Sequence, residues 1–365
     1  MGFSCGIVGL PNVGKSTLFN ALTNSQNAKA SNYAFCTIEP NKAIVDVPDE
    51  RLYKIGKIEN SQNIIPTQLS FTDIAGLVKG ASKGEGLGNK FLSHIKEVDL
   101  ILHVVRCFDD PDIDHVEDSL DPIRDLQIVE NELILSDLVS AEQQLKKLKK
   151  EINKEKDNIE KVKILERIVD SLIKNKSLKN INFNKDEKKN IQSFNLISTK
   201  PKIFICNLSE KEDLENNEYL NLIKKNLSDD GSMIISISAE IESQIAQLED
   251  KIEKKEFLNS LGWSFSGLDR IIKSSYDKLN LITYFTAGEK ETRAWTIKKD
   301  STAPDASSVI HTDFQKGFIC AETISYDDYI KHGGSKGAKE NGKSRQEGKE
   351  YLVKDGDVIH FLFNI

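Results

Sequence analysis

The chain is poor in the features that mark secreted, membrane-spanning or metal-caged proteins. No apolar run in its 365 residues approaches the roughly 20 needed to cross a bilayer. The N-terminus enters a strand-like segment at once, leaving no room for a signal peptide, so a cytoplasmic protein without a membrane partner is expected. Cysteine is sparse: Cys5, Cys36, Cys107, Cys206 and Cys320 are odd in number, scattered, and never spaced C-x-x-C. That excludes a disulfide frame and a cysteine zinc site, and fits reduced thiols. Excess positive charge is also missing. A net charge of −7 argues against indiscriminate nucleic-acid binding, though not against a local basic face. No internal repeat is visible, nor any acceptor-binding lid of the kind a metabolic kinase needs.

What is present starts near the N-terminus. Gly9-Leu10-Pro11-Asn12-Val13-Gly14-Lys15-Ser16-Thr17 fits G-x-x-x-x-G-K-[ST]. The apolar stretch before it suits a buried parallel strand, and Leu18 onward suits a helix. A strand feeding a helix through a glycine-rich turn aims several backbone N–H groups at one point, and the helix dipole adds positive potential there. Gly9 and Gly14 let the backbone approach a phosphate closely. Lys15 is the candidate for the β- and γ-phosphates, and the Ser16 hydroxyl for Mg²⁺. Asn12, Val13, Gly14, Lys15, Ser16 and Thr17 are therefore expected to contact the nucleotide.

Short apolar segments at 5–10, 43–47, 68–73, 100–106, 202–207 and 233–238 alternate with helical stretches, the pattern of an α/β fold with a mainly parallel, doubly wound sheet. Between the fourth and fifth lies a Lys- and Glu-rich insertion, 133–197. Its apolar positions Leu138, Leu145, Leu148 and Ile152, then Ile159, Val162, Val169, Leu172 and Ile173, recur in helical steps. A coiled-coil hairpin bending at 153–158 is expected; a single solvated helix, or one lying flat on the sheet, are the alternatives. From 281 the texture changes to short β-like runs, a helical stretch near 306–314 and a glycine-rich basic loop at 332–339, which together suggest a small α+β module. The expected division is a nucleotide-binding domain over 1–132 and 198–280, a helical insertion over 133–197 and a C-terminal module over 281–365.

Asp73-Ile74-Ala75-Gly76 follows the third strand. D-x-x-G after a phosphate loop is a switch element: Asp73 holds Mg²⁺ through water, and the Gly76 N–H meets the γ-phosphate. Thr37 lies between the two motifs, where a first switch loop belongs, and is the candidate direct Mg²⁺ ligand; an ordinary loop threonine is the other reading. Two positions depart from ordinary GTPases. Leu77 stands where a glutamine would orient the attacking water, so hydrolysis uses another group or is slow without a partner. Asn207-Leu208-Ser209-Glu210 replaces N-K-x-D, removing the aspartate that pairs with guanine. Loss of such a bidentate contact shifts base specificity strongly, and Asn207 is suited to the N6 and N7 edge of adenine. Ser238-Ala239-Glu240 matches the short loop near the base.

These residues carry a family. The chain resembles the Obg-like ATPases of the YchF type, of the translation-factor class of P-loop proteins. The likeness runs from G-L-P-N-V-G-K-S-T through F-C-T-I-E-P-N, D-I-A-G-L-V-K-G-A and N-x-x-E to Thr283-Tyr284-Phe285-Thr286 and Arg293-Ala294-Trp295-Thr296. It implies an OBG-type G domain interrupted by a coiled-coil hairpin and followed by a β-grasp TGS domain. It also implies ATP preferred over GTP, slow intrinsic hydrolysis and association with the ribosome. The large subunit is the expected partner, its rRNA met by the hairpin and the TGS domain through the lysine-rich hairpin face and the glycine-rich basic loop; a merely solvated hairpin face is the alternative. By the same resemblance Leu208 serves the adenine site through its backbone, and His115 is the catalytic candidate that positions water, the alternative being a surface histidine. Asn12 matches the residue that binds K⁺ in potassium-stimulated relatives. A monomer is expected. Two rival functions remain: a GTPase of the same fold, and a module that senses ATP with incidental turnover.

Overall fold

The computed structural model describes residues 2–25, 28–29, 41–74, 87–113, 119–151, 156–174, 178, 181–228 and 231–364. In chain order the elements are β1 (Ser4–Val8), α1 (Lys15–Asn24), β2 (Ala28–Lys29), β3 (Asn41–Asp46), α2 (Glu50–Glu59), β4 (Asn63–Ile65), β5 (Gln68–Asp73), α3 (Leu87–Glu97) and β6 (Leu100–Arg106). Then come α4 (Pro122–Glu151), α5 (Lys156–Ile173), α6 (Lys185–Ser193), β7 (Lys202–Asn207), α7 (Glu218–Asn226), β8 (Met233–Ile237), α8 (Ala239–Gln247), α9 (Lys251–Ser260) and α10 (Gly267–Lys278). The chain finishes with β9 (Leu281–Thr286), β10 (Glu291–Lys298), α11 (Ala303–Ile310), α12 (Thr312–Lys316), β11 (Phe318–Ile324), α13 (Tyr326–Lys331), α14 (Ser335–Glu340), β12 (Arg345–Glu347) and β13 (Val358–Phe363).

By packing, the chain forms two compact units. One contains Phe3–Ile44 and Ser70–Leu268, the other Val45–Leu69 and Asp269–Ile365. The division differs from the one drawn on sequence. The insertion 133–197 packs with the first unit, and the early segment Val45–Leu69 packs with the C-terminal residues.

The first unit is built on a seven-stranded sheet of order β2-β3-β5-β1-β6-β7-β8. β1 runs parallel to both β5 and β6, and β6, β7 and β8 continue in parallel. β6 and β7 are buried along their whole length, as mostly apolar strands covered on both faces are. Every polar landmark of the site falls at the C-terminal ends of these strands, where open α/β sheets bind ligands.

The insertion folds back on itself. Asn158 reaches the Glu151 carbonyl, Lys149 pairs with Glu166, Gln144 reaches the Phe194 carbonyl, and Asp137 meets Ile197. Ala141 of α4 joins Ile164, Leu165, Ile168 and Leu172 of α5 in one apolar cluster, closed by Phe183, Ile191, Phe194 and Leu196. Of the expected α5 positions Val162 and Leu172 are buried and Val169 packs against the cluster, but Ile159 and Ile173 are 45% and 62% exposed, and Ile164, Leu165 and Ile168 complete the buried stripe. α4 also begins well before 133; its first turns place Leu126 against Val105, Phe204 and Cys206 of β6 and β7. Fully buried Asp137 clamps the returning chain, accepting from Ile197 N (2.8 Å), Ser198 N (2.6 Å) and Ser198 Oγ (2.5 Å).

The second unit is a six-stranded mixed sheet, β12-β11-β13-β9-β10-β4. Its outermost strand, β4, comes from the early segment and pairs in parallel with β10. α2 brings Leu52 and Ile55 into a cluster with Phe285, Ala294, Ile324 and Tyr329. A second cluster gathers Tyr284, Ile297, Ala306 and Phe361. The stretch expected as a glycine-rich loop at 332–339 instead holds α14. Gly334 begins it at φ +107°, and a Cβ on Gly337 would lie 1.9 Å from the His332 carbonyl oxygen, so glycine permits a helix here that other residues would block.

Candidate nucleotide-binding site

β1 ends in the glycine-framed loop, and α1 starts at Lys15. Asn12 takes φ +60° and Gly14 φ +96°, a turn that aims successive N–H groups inward. Elsewhere Asp49, Asn184, Asn217, Ser238, Asp250, Thr302 and Ser325 cap helix N-termini with their side chains. At α1 the capping position is Gly14, which has none, and no acid stands in the first turn. The α1 N-terminus therefore keeps its donors and its dipole for an anion. Gly9 is held against β6: a Cβ there would lie 2.5 Å from the Val104 carbonyl oxygen.

Lys15 is buried and donates to the Leu10 carbonyl at 2.5 Å. Burial pulls its pKa down to about 8, and the charge of Asp73 opposes the fall. Burial conversely raises Asp73, with Lys15 holding it down. An ammonium short of counter-charge at an uncapped helix start is a built demand for anionic oxygen. The half-buried Asp73 ends β5 opposite Ile7 of β1. Ser16 is exposed on the first turn of α1. Ser16 and Asp73 are oxygen donors of the kind Mg²⁺ uses when phosphates complete its shell. Among the described residues no three His, Cys, Asp or Glu side chains gather to hold a metal by themselves.

On the base side, the buried Asn207 amide works at both ends. Nδ2 donates to Val13 O at 3.0 Å, and Oδ1 accepts from Ala239 N at 2.9 Å. Asn207 therefore bolts the phosphate loop to the loop after β8. One N–H and one lone pair of the amide are left for a base edge. The Leu208 N–H is taken by the Ile237 carbonyl at 2.8 Å, so a backbone contact from Leu208 to a ligand has the carbonyl to work with. Ser238, fully buried, caps α8 by accepting from Ile241 N. Glu210 is exposed, and its carboxylate takes a 3.5 Å hydrogen bond from Gln244.

The structure brings together Asn12, Val13, Gly14, Lys15, Ser16, Thr17, Asp73, Asn207, Leu208 and Ser238 along one sheet edge. Thr37, Gly76, Leu77 and His115 lie outside the described residues. One contributor carried no motif. Arg106, buried at the end of β6, donates to the carbonyls of Phe108, Asp110 and Ile113 and sits 4.7 Å over the Phe108 ring. It ties down the loop that follows β6. A charged residue closing a mostly apolar strand was the only signal for it.

A phosphate loop on the central strand of a parallel sheet, with a carboxylate on the neighbouring strand and an asparagine lock on the base side, defines a P-loop nucleotide-binding protein. The family described as 50S ribosome-binding GTPase matches residues 4–132, and the YchF-GTPase C-terminal family matches 281–364. The chain is 51% identical over 366 residues to the Ribosome-binding ATPase YchF of Haemophilus ducreyi and 50% identical to that of Haemophilus influenzae, each covering 100% of both chains. The solved YchF GTPase of Schizosaccharomyces pombe shares 40% identity, with a TM-score of 0.87 over 99% of this chain and 98% of its own. The chain belongs to the YchF family.

Proposed function

We infer that this protein binds and hydrolyses ATP and acts as a molecular switch on the ribosome. The observation that carries the reading is the buried Lys15 at an uncapped helix start beside Asp73, locked by Asn207 to the base-side loop. Relatives across the whole length of the chain bear the name Ribosome-binding ATPase.

In this reading the α1 N–H groups and Lys15 neutralise the phosphates, and Ser16, Thr37 and Asp73 hold Mg²⁺, which would supply charge neutralisation between the phosphates. Gly76 reports the γ-phosphate, and ordering of its segment is the switch element. Adenine is preferred because N-x-x-E lacks the aspartate that clamps guanine: Glu210 is one methylene longer, and its exposed carboxylate takes a 3.5 Å hydrogen bond from Gln244. The Leu208 carbonyl and the free half of the Asn207 amide supply donors and acceptors to adenine. Leu77 gives no hydrogen bond to water, so turnover is slow, and His115 is our candidate for positioning water once a partner is engaged. K⁺ at Asn12 is a further expectation; equal rates in K⁺ and Na⁺ would remove it.

The insertion 133–197 and a C-terminal TGS module over 281–365 carry the switch state outward, the lysine-rich helix faces meeting rRNA of the large subunit. The protein works as a cytoplasmic monomer.

The decisive experiment titrates ATP and GTP side by side into the protein and its Lys15→Ala variant. Tight ATP binding that the variant loses is expected; tighter GTP binding would turn the assignment to the GTPase alternative. Single-turnover hydrolysis with and without ribosomes separates the enzyme from an ATP-sensing module. No acceleration from a near-zero rate favours the module.

A further inference from the structure

On the outer side of the base-reading loop, a groove of about 360 Å³ opens between residues 210–215 and the turn joining α9 to α10. Its apolar lining is Leu214, Ile241, Leu261 and Trp263. Beneath lies a small apolar cluster of Ile241, Ile245 and Leu258, against which Leu261 and Trp263 are only partly covered. Phe265, 64% exposed, stands two residues beyond Trp263. Four carboxylates line the same groove: Glu210, Glu212, Asp213 and Glu215. Lys211 is the only basic residue in that loop, and it is exposed. Glu212 accepts from Ser209 N, and Asp213 from the N–H groups of Glu215 and Asn216. Among the described residues, none of the four forms an ion pair.

Lys224 Nζ donates to the Glu215 carbonyl at 3.3 Å, so two lysines face four carboxylates. An apolar floor with such a net acidic wall repels nucleic acid and complements a chain that alternates cationic and aliphatic side chains. We propose that this groove docks a basic, leucine- or valine-containing peptide segment of a partner protein. Aliphatic side chains seat against Trp263 and Leu261, and lysines or arginines meet the four carboxylates. The acidic wall is continuous with Asn207, which holds Val13 and Ala239, and the opposite wall includes Ile241 of the helix capped by Ser238. Docking is therefore linked to nucleotide occupancy, and the linkage is reciprocal. This second clause rests on the nucleotide reading above; the docking itself does not.

The test uses the full chain with Trp295→Phe, which leaves Trp263 as the single tryptophan. A short capped peptide of alternating lysine and leucine is titrated while Trp263 emission is followed. A saturable shift is expected. It should weaken steeply with salt, and by about tenfold or more in Asp213→Asn/Glu215→Gln, which keeps the local acceptor at 213. No saturable shift, or one indifferent to both salt and the variant, would overturn the proposal. So would the same shift from spermidine or Mg²⁺ alone, which would make the groove a cation site. Competition by ATP with full displacement of the peptide would make it part of the nucleotide site instead. If the double variant fails to fold, the salt series on the parent decides. Equal peptide affinity with and without ATP would overturn the linkage and leave the docking standing.

Discussion

A Cβ built on Gly14 would lie 2.3 Å from Asn207 Nδ2, so the phosphate loop and the base-side loop meet with no space between them. The contact explains why a glycine is needed at Gly14 twice over, once for its φ of +96° and once for the neighbour it admits. It also makes Asn207 a structural bolt as well as a candidate base reader.

Asn207→Ala should therefore cost both stability and nucleotide. It leaves the buried Val13 carbonyl and Ala239 N–H unpaired, at roughly 1–3 kcal/mol each. Thermal unfolding should fall, and calorimetry should show weaker binding of ATP and GTP alike. A variant that altered only the preference between the two bases, with stability unchanged, would contradict the bolt.

Lys15 predicts a pH dependence. Its folded pKa of about 8 lies below the ordinary lysine value of 10.5, so between these values the unfolded chain binds more protons than the folded one. Stability from this group therefore rises with pH from about 8 to 10.5 and is depressed below that window. Phosphate oxygens restore the charged form, so ATP binding at pH 8–9, near this pKa, should take up a proton. Calorimetry in two buffers of different ionisation enthalpy measures it; a binding enthalpy independent of buffer would contradict the lowered pKa.

The insertion should be separable in energy from the nucleotide site. Asp137→Ala frees three donors from Ile197 and Ser198 and should cost roughly 3 kcal/mol or more. Hydrogen exchange should rise through 137–198, with ATP affinity left near its original value.

The register of the two long helices gives a sharper contrast. Ile168 is fully buried and Ile173 is 62% exposed. Ile168→Ala should lose roughly 2–5 kcal/mol, Ile173→Ala less than about 0.5 kcal/mol. A larger loss at Ile173 than at Ile168 would mean that the buried face of α5 includes Ile173 and not Ile168.

Much of the fold was legible for simple reasons. The strands at 100–106 and 202–207 are mostly apolar runs, and 68–73 alternates apolar with polar residues; all three form as read. The phosphate loop was legible because its glycines, lysine and hydroxyl stand in fixed register. Less accessible was anything decided by distant partners. β4 is three residues long and takes its meaning from β10, far along the chain. The true stripe of α5 depends on Phe183, Ile191 and Phe194, which fold over it from outside the helix. Arg106 gave no pattern, because its acceptors are main-chain carbonyls that any residue supplies.

The last consequence concerns the order in which the chain is made. β4 and α2 are translated early, yet the strand and apolar surface that receive them, β10 with Phe285 and Ala294, belong to the final third of the polypeptide. Their side chains must wait in the nascent chain while some two hundred residues follow, and a severed C-terminal fragment would carry a naked sheet margin and an uncovered greasy face. The later unit is thus expected to be a product of the completed polypeptide, insoluble or self-associating when expressed from residue 281 onward.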